Sequence, residues 1–134
     1  MKKYLALVFV LFAAGIAGAA AQTYPSRPVR VIVPFAPGGP TDVFARLMSQ
    51  KMSEQTGKQF YVENVGGAGG NTGHGRAAQA PPDGYTILVT GGSHLNNPFL
   101  YNHVPYDPIK DFDAVTLAVD SAVVLTVHRS VRLS

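Results

Sequence analysis

Short apolar runs alternate along the chain with breaks marked by glycine or proline, and this rhythm predicts its elements. Leu5 to Ile16 is apolar throughout apart from Gly15. Val29 to Val33 is a β-branched run with Arg30 as its only polar member, the composition of a buried strand. From Thr41 to Thr56 the apolar positions are Val43, Phe44, Leu47, Met48 and Met52, a spacing that paints one face of a helix. Gly57 then stops that helix. Phe60 to Val65 is a second strand, followed by a glycine-dense loop over Gly66 to Gly75 and a short helix around Arg76 to Ala80. Pro81-Pro82-Asp83-Gly84 is a turn by composition, and Tyr85 to Thr90 a third, buried strand. Gly91 to Pro98 is expected to be a loop, with a helical turn at Phe99 to Tyr101. Pro105 to Pro108 is irregular, and Ala114 to Val119 and Ala122 to Val127 read as two further strands.

Strand, helix, strand, helix, strand predicts an α/β domain with a mostly parallel sheet, right-handed crossovers and helices on both faces. No internal repeat and no long linker divides it. The last strand is followed only by His128 to Ser134, so no helix covers it, and the pattern reads as interrupted.

Charge and composition change this picture mainly at the N-terminus. Lys2 and Lys3 precede the first apolar run, and Ala19-Ala20-Ala21 offers a cleavage site with Gln22 as first mature residue. That order is the pattern of a secretory signal peptide. A retained membrane anchor is the alternative, but a spanning helix needs about 20 apolar residues and this run is shorter. The expected organisation is therefore a signal peptide over 1–21, cleaved after Ala21, and one exported domain over 22–134. The chain has 11 Lys+Arg against 8 Asp+Glu, and the leader removes two lysines, leaving a nearly neutral mature chain. Its cations are scattered, so nothing recommends nucleic acid as a partner. With no cysteine, disulfides and a lipid-anchored cysteine are excluded.

Three loops are candidates for chemistry. Phe35-Ala36-Pro37-Gly38-Gly39-Pro40-Thr41-Asp42 lies at the carboxyl end of the first strand and opens the first helix. Ligands of open α/β sheets bind at that edge. A helix N-terminus there offers unpaired N–H groups and partial positive charge to a carboxylate or phosphate. Gly38 and Gly39 allow close backbone approach. Asp42 either complements the helix dipole and caps early N–H groups, its more ordinary role, or touches ligand. The second loop, Gly66 to Gly75, never places glycines at the first, third and sixth positions and has no Gly-Lys-Ser/Thr ending, so it is not a nucleotide loop. A tight structural loop with some ligand contact fits it better.

The third loop, Gly91-Gly92-Ser93-His94-Leu95-Asn96-Asn97-Pro98, leaves the same sheet edge as the first. Ser93 and His94 adjoin, but Leu95 stands where a nucleophile elbow requires glycine, and adjacent side chains point apart in an extended segment. No hydrolase is expected. His74, His94, His103 and His128 lack metal-ligand spacing and are expected at the surface. No cofactor is implied.

One series of motifs carries a family likeness. It begins with Tyr24-Pro25-Ser26-Arg27-Pro28-Val29-Arg30 and Pro34 to Asp42. Val62-Glu63-Asn64, Gly67-Ala68-Gly69-Gly70-Asn71 and Pro82-Asp83-Gly84-Tyr85-Thr86 follow. Asn97-Pro98 with Leu100-Tyr101, and Pro105-Tyr106-Asp107-Pro108 with Lys110-Asp111-Phe112, complete it. In this order the motifs resemble the receptors of the tripartite tricarboxylate transporter family, also called Bug proteins. The resemblance implies a type II periplasmic-binding-protein fold, in which two α/β lobes close on a small organic acid. It implies a monomeric periplasmic receptor, not an enzyme, that serves the membrane subunits of a transporter or signals its solute. Carried over, the ligand-binding positions are Phe35, Ala36, Gly38, Gly39, Thr41, Asp42, Gly92, Ser93 and His94. Family chains are longer, and the likeness fades after Val127. The expectation is thus an incomplete first lobe, the second lobe absent, with weak binding by this chain alone; the alternative is a small exported interaction protein or a non-functional fragment.

Overall fold

The computed structural model describes residues 23–120 and Thr126. Its elements are β1 (Val29–Val33), α1 (Pro40–Thr56), β2 (Phe60–Asn64), a 3-10 turn (Ala68–Gly70), α2 (Asn71–Ala78), β3 (Thr86–Leu88) and α3 (Ser93–Leu100). Three strands form one parallel sheet in the order β2-β1-β3. Val31 sits opposite Val62 on one side and Ile87 on the other, so β1 is the central strand. The first crossover runs outward to β2 and the second returns past β1 to β3. Right-handed crossovers in opposite directions put α1 and α2 on opposite faces.

β1 suits the central place because four of its five residues are apolar and fully buried, with Arg30 the one polar member. Val29, Val31 and Val33 face α1 and form the core with Ala45 and Phe60, flanked by Met48, Met52, Val62 and Ile87. Ile32 is fully buried on the other face. Each such side chain contributes roughly 1.5–3 kcal/mol on burial. α1 begins after Gly39 with Pro40 in its first turn and ends at Gly57, which takes the left-handed conformation and donates its N–H to Ser53 O at 3.0 Å. Its buried stripe is Asp42, Ala45 and Ser49 with Met48 and Met52, while Val43 and Leu47 lie exposed. The buried stripe thus departs from the purely apolar face and takes Asp42 and Ser49 inward.

Four expectations are corrected. The second helix starts at Asn71, not near Arg76, directly out of the glycine loop. Its Gly73 and Gly75, read as loop residues, are required by packing. A Cβ at Gly73 would lie 2.6 Å from Val65 O and 2.8 Å from Pro34 Cα, and one at Gly75 would lie 2.6 Å from Pro105 Cγ. Gly91 to Pro98 is not a loop throughout, because α3 occupies Ser93–Leu100 and includes Pro98. Proline cannot bond to the carbonyl four residues back. Here that carbonyl, His94 O, accepts the Tyr106 hydroxyl at 3.1 Å instead. The third strand is shorter than expected and half-buried, as suits a strand paired on one side. Ala114 to Val119 forms no strand, since among the described residues nothing pairs with it, and Val115 and Leu117 are 88% and 84% exposed. The strand expected at Ala122 to Val127 lies outside the described residues apart from Thr126.

Candidate functional site

The carboxyl end of β1 feeds directly into the first candidate loop. Gly38 takes φ +85°, a conformation that side chains disfavour, and this turns the chain into α1. Phe35 to Thr41 line an open concavity of about 620 Å³. Gly39, the residue before α1, has no side chain to cap the helix. Pro40 has no N–H, and the Val43 N–H is bonded to Gly39 O at 3.0 Å. Among the described residues the N–H groups of Gly39, Thr41 and Asp42 meet no acceptor. These donors, with the helix dipole behind them, are what an anionic ligand requires.

Asp42 does not face this concavity. It is 2% exposed, and its carboxylate accepts the Gly38 N–H at 2.8 Å, Arg46 Nε at 3.0 Å and Asn64 Nδ2 at 2.8 Å. The Arg46 hydrogen bond, then those from Gly38 and Asn64, hold its carboxyl far below the usual carboxylate range despite some desolvation. Asp42 therefore pins the loop from behind, and its charge is matched by Arg46. The same bond engages the Gly38 amide internally. Of the predicted positions in this loop, Phe35, Ala36, Gly39 and Thr41 line the concavity with N–H groups that meet no acceptor among the described residues, although Phe35 O accepts from Asn64 Nδ2 and Gly39 O from the Val43 N–H, and Gly38 lines it with its N–H already bonded.

The third candidate loop leaves the same edge of the sheet, because β1 and β3 are parallel. Val89 N–H bonds Ile32 O at 2.9 Å and carries the chain to Gly91 and Gly92, which are exposed at the start of α3. Ser93 is half-buried and its hydroxyl has no partner. His94 is turned inward: its ring stacks on Tyr106 at 5.4 Å and meets Phe112 edge-on at 4.7 Å, with Nε2 3.2 Å from Pro108 O. Gly92, Ser93 and His94 thus share the sheet edge with Phe35 to Thr41 but do not line the same concavity.

The glycine loop, in contrast, touches the site. A Cβ on Gly66 would stand 3.8 Å from the Ala36 amide and the Phe35 carbonyl carbon. Its far end is fixed by Asn97, whose Nδ2 donates to Gly69 O at 3.0 Å and to Asn71 Oδ1 at 2.7 Å.

Sequence reasoning missed two groups. His74, expected at the surface, is fully buried between α2 and α3, with Nε2 2.7 Å from Thr90 Oγ1 and its ring 5.1 Å from that of His94. Burial first, and the neighbouring His94 second, push its pKa down to about 4. The helical setting of Gly73 and Gly75 was the signal that Asn71 to Ala78 packs tightly and takes His74 inside. The second missed residue is Asn64, which ends β2 beside the loop. Among the described residues no group of three or more His, Cys, Asp or Glu side chains is placed to hold a metal, and no helix is long and apolar enough to cross a membrane.

Residues 44–132 match the family model of the tripartite tricarboxylate transporter family receptor. The UPF0065 protein in the tcbD-tcbE intergenic region of Pseudomonas sp. strain P51 is 45% identical over 106 residues, covering 79% of this chain and 32% of that protein. Among solved structures, the periplasmic binding protein BugD superposes with a TM-score of 0.64 and 46% identity, over 66% of this chain and 30% of that one. MatC from Rhodopseudomonas palustris with bound malate gives a TM-score of 0.62 and 45% identity, over 66% and 31%. The chain spans about a third of the length of the curated relatives it matches, 32% and 29% for the first two. The chain belongs to the tripartite tricarboxylate transporter receptor family, as its motif series implies. That family is one of receptors rather than enzymes, and its α/β fold is that of periplasmic binding proteins.

Proposed function

We propose that this member of the receptor family supplies one wall of a periplasmic binding site for a small organic carboxylate. The observation that carries the reading is the pair of unpaired N–H groups at Gly39 and Thr41, residues that line an open concavity with no uncompensated negative charge beside it. A carboxylate there gains charge-assisted hydrogen bonds and the favourable end of the α1 dipole. The bound malate of MatC supports this ligand class, and the periplasmic relatives support the location. In the proposed organisation 1–21 is the export leader, cleaved after Ala21, and 22–134 is first-lobe sequence. Gly92 and Ser93 flank the ligand from the start of α3, on the same sheet edge. The loaded receptor, a monomer, serves the membrane subunits of a tripartite tricarboxylate transporter.

The described residues contribute one wall, so for this segment tested by itself affinity is expected on the order of millimolar. Amide resonances followed by NMR during a malate titration test the proposal. Saturating shifts at Ala36, Gly39 and Thr41 are expected, with none from a neutral diol of the same length. Absence of those shifts at tens of millimolar malate would exclude the loop as a carboxylate site.

A further inference from the structure

A carboxylate side chain in the first turn of a helix that is to receive an anion poses an electrostatic problem. Asp42 is close enough to the ligand-facing amides to repel what they attract. The structure resolves this with a closed ring of three side chains. Asn64, the last residue of β2, sits level with Val33, the last residue of β1. Its Nδ2 donates one hydrogen to Asp42 Oδ1 at 2.8 Å and the other to Phe35 O at 3.1 Å. Its Oδ1 accepts from the Arg46 guanidinium at 2.9 Å, and Arg46 Nε reaches Asp42 Oδ2 at 3.0 Å. The opposite setting of the carboxamide would face its oxygen to two acceptors and its NH₂ to a cation, so these partners fix its orientation.

We propose that Asn64 is a positioning residue for the loop: it holds the Phe35 carbonyl back and turns the Asp42 charge toward Arg46, so that the N–H groups of Ala36, Gly39 and Thr41 are left unbonded. Asn64 itself touches no ligand. It acts on the first loop from a different strand, through two points at opposite ends of that loop. Without the carboxamide, Phe35 O and Asp42 Oδ1 both lose their donor, and the loop is free to fold its own carbonyls onto the amides. The inference rests on the proposed carboxylate site for its consequence in binding, but the loop conformation is measurable without any ligand.

The test uses the full chain with Asn64→Ala and, as a control of similar lost stability, Met52→Ala, which thins the core beneath α1 without touching the loop. Hydrogen exchange of the Gly38 amide is read in ligand-free protein, and malate binding by NMR shift. Exchange at Gly38 should rise about tenfold in Asn64→Ala, the factor expected of one hydrogen bond, with exchange at Val31 matching that of Met52→Ala. Malate affinity should fall by about the same factor. Equal behaviour of the two variants at Gly38 would overturn the inference, since Asn64 would then act only through global stability. Should wild-type protein bind no malate, the carboxylate site fails while the exchange comparison still decides the role of Asn64.

Discussion

Acid should unfold this chain through His74 before it acts through any carboxylate. The ring is enclosed by α2, α3 and the Tyr106 segment, with Thr90 on Nε2, His94 at 5.1 Å and no partner for Nδ1. A histidine whose folded pKa lies near 4 instead of 6.5 stays neutral in the fold while the unfolded chain takes up a proton. Stability is therefore complete above the unfolded value and is lost as pH falls from 6.5 toward 4. The gap corresponds to roughly 3 kcal/mol at about 1.4 kcal/mol per unit, and partial screening reduces it to about 2 kcal/mol. Asp42 and Asp107 have lowered folded values, Asp107 about 2 because the Ile109 and Lys110 amides bond it. Their contributions are lost only below the ordinary aspartate range, so the two windows separate. Urea unfolding followed by circular dichroism at about pH 7.5 and about pH 4.5 should show the 2 kcal/mol loss in wild type and less than half of it in His74→Gln. An equal loss in the variant, or an NMR midpoint for His74 at its ordinary value, would refute the reasoning.

Two further outcomes follow from packing. Gly73→Ala sets a Cβ against backbone atoms of Val65 and Pro34, neither of which can rotate away, and should cost at least about 3 kcal/mol or prevent folding, as read by thermal melting. Asn97→Ala leaves Gly69 O without its donor and buried Asn71 Oδ1 with only the Tyr106 hydroxyl at 3.5 Å, and should cost about 2 kcal/mol by urea unfolding, with exchange accelerated around Gly69 while β1 keeps its relative protection.

The parallel sheet was readable because Val29 to Val33 is apolar apart from Arg30, a composition that suits a strand covered on both faces. The loop from Phe35 to Thr41 was readable because glycines and proline stand between a strand and an amphipathic helix. What could not be read was set by tertiary contact. Glycines mark loops by propensity, yet Gly73 and Gly75 are helical because neighbouring backbone and Pro105 leave no room for a side chain. Proline marks a helix end, yet Pro98 lies inside α3 because Tyr106 supplies the bond it forgoes. Among the candidate site residues, the placement of the Phe35 to Thr41 loop between β1 and α1 followed from the strand-to-helix pattern. The inward turn of His94 and Asp42 did not, since each depends on partners distant in sequence: Tyr106 and Phe112 for one, Asn64 for the other.

The central place of β1 has a kinetic consequence. Both strands that flank it come later in the chain, and its contact with β3 joins Arg30 to Thr86 across 56 positions. Parallel pairing over such spans closes long loops before any contact rewards them, and it is slow for that reason. The residues that emerge first, including the loop that follows β1, therefore reach their final conformation last. Until β3 docks, a run of valines and isoleucine waits with both edges open to other chains, which makes the interval between emergence and docking the period in which this protein is most prone to aggregate.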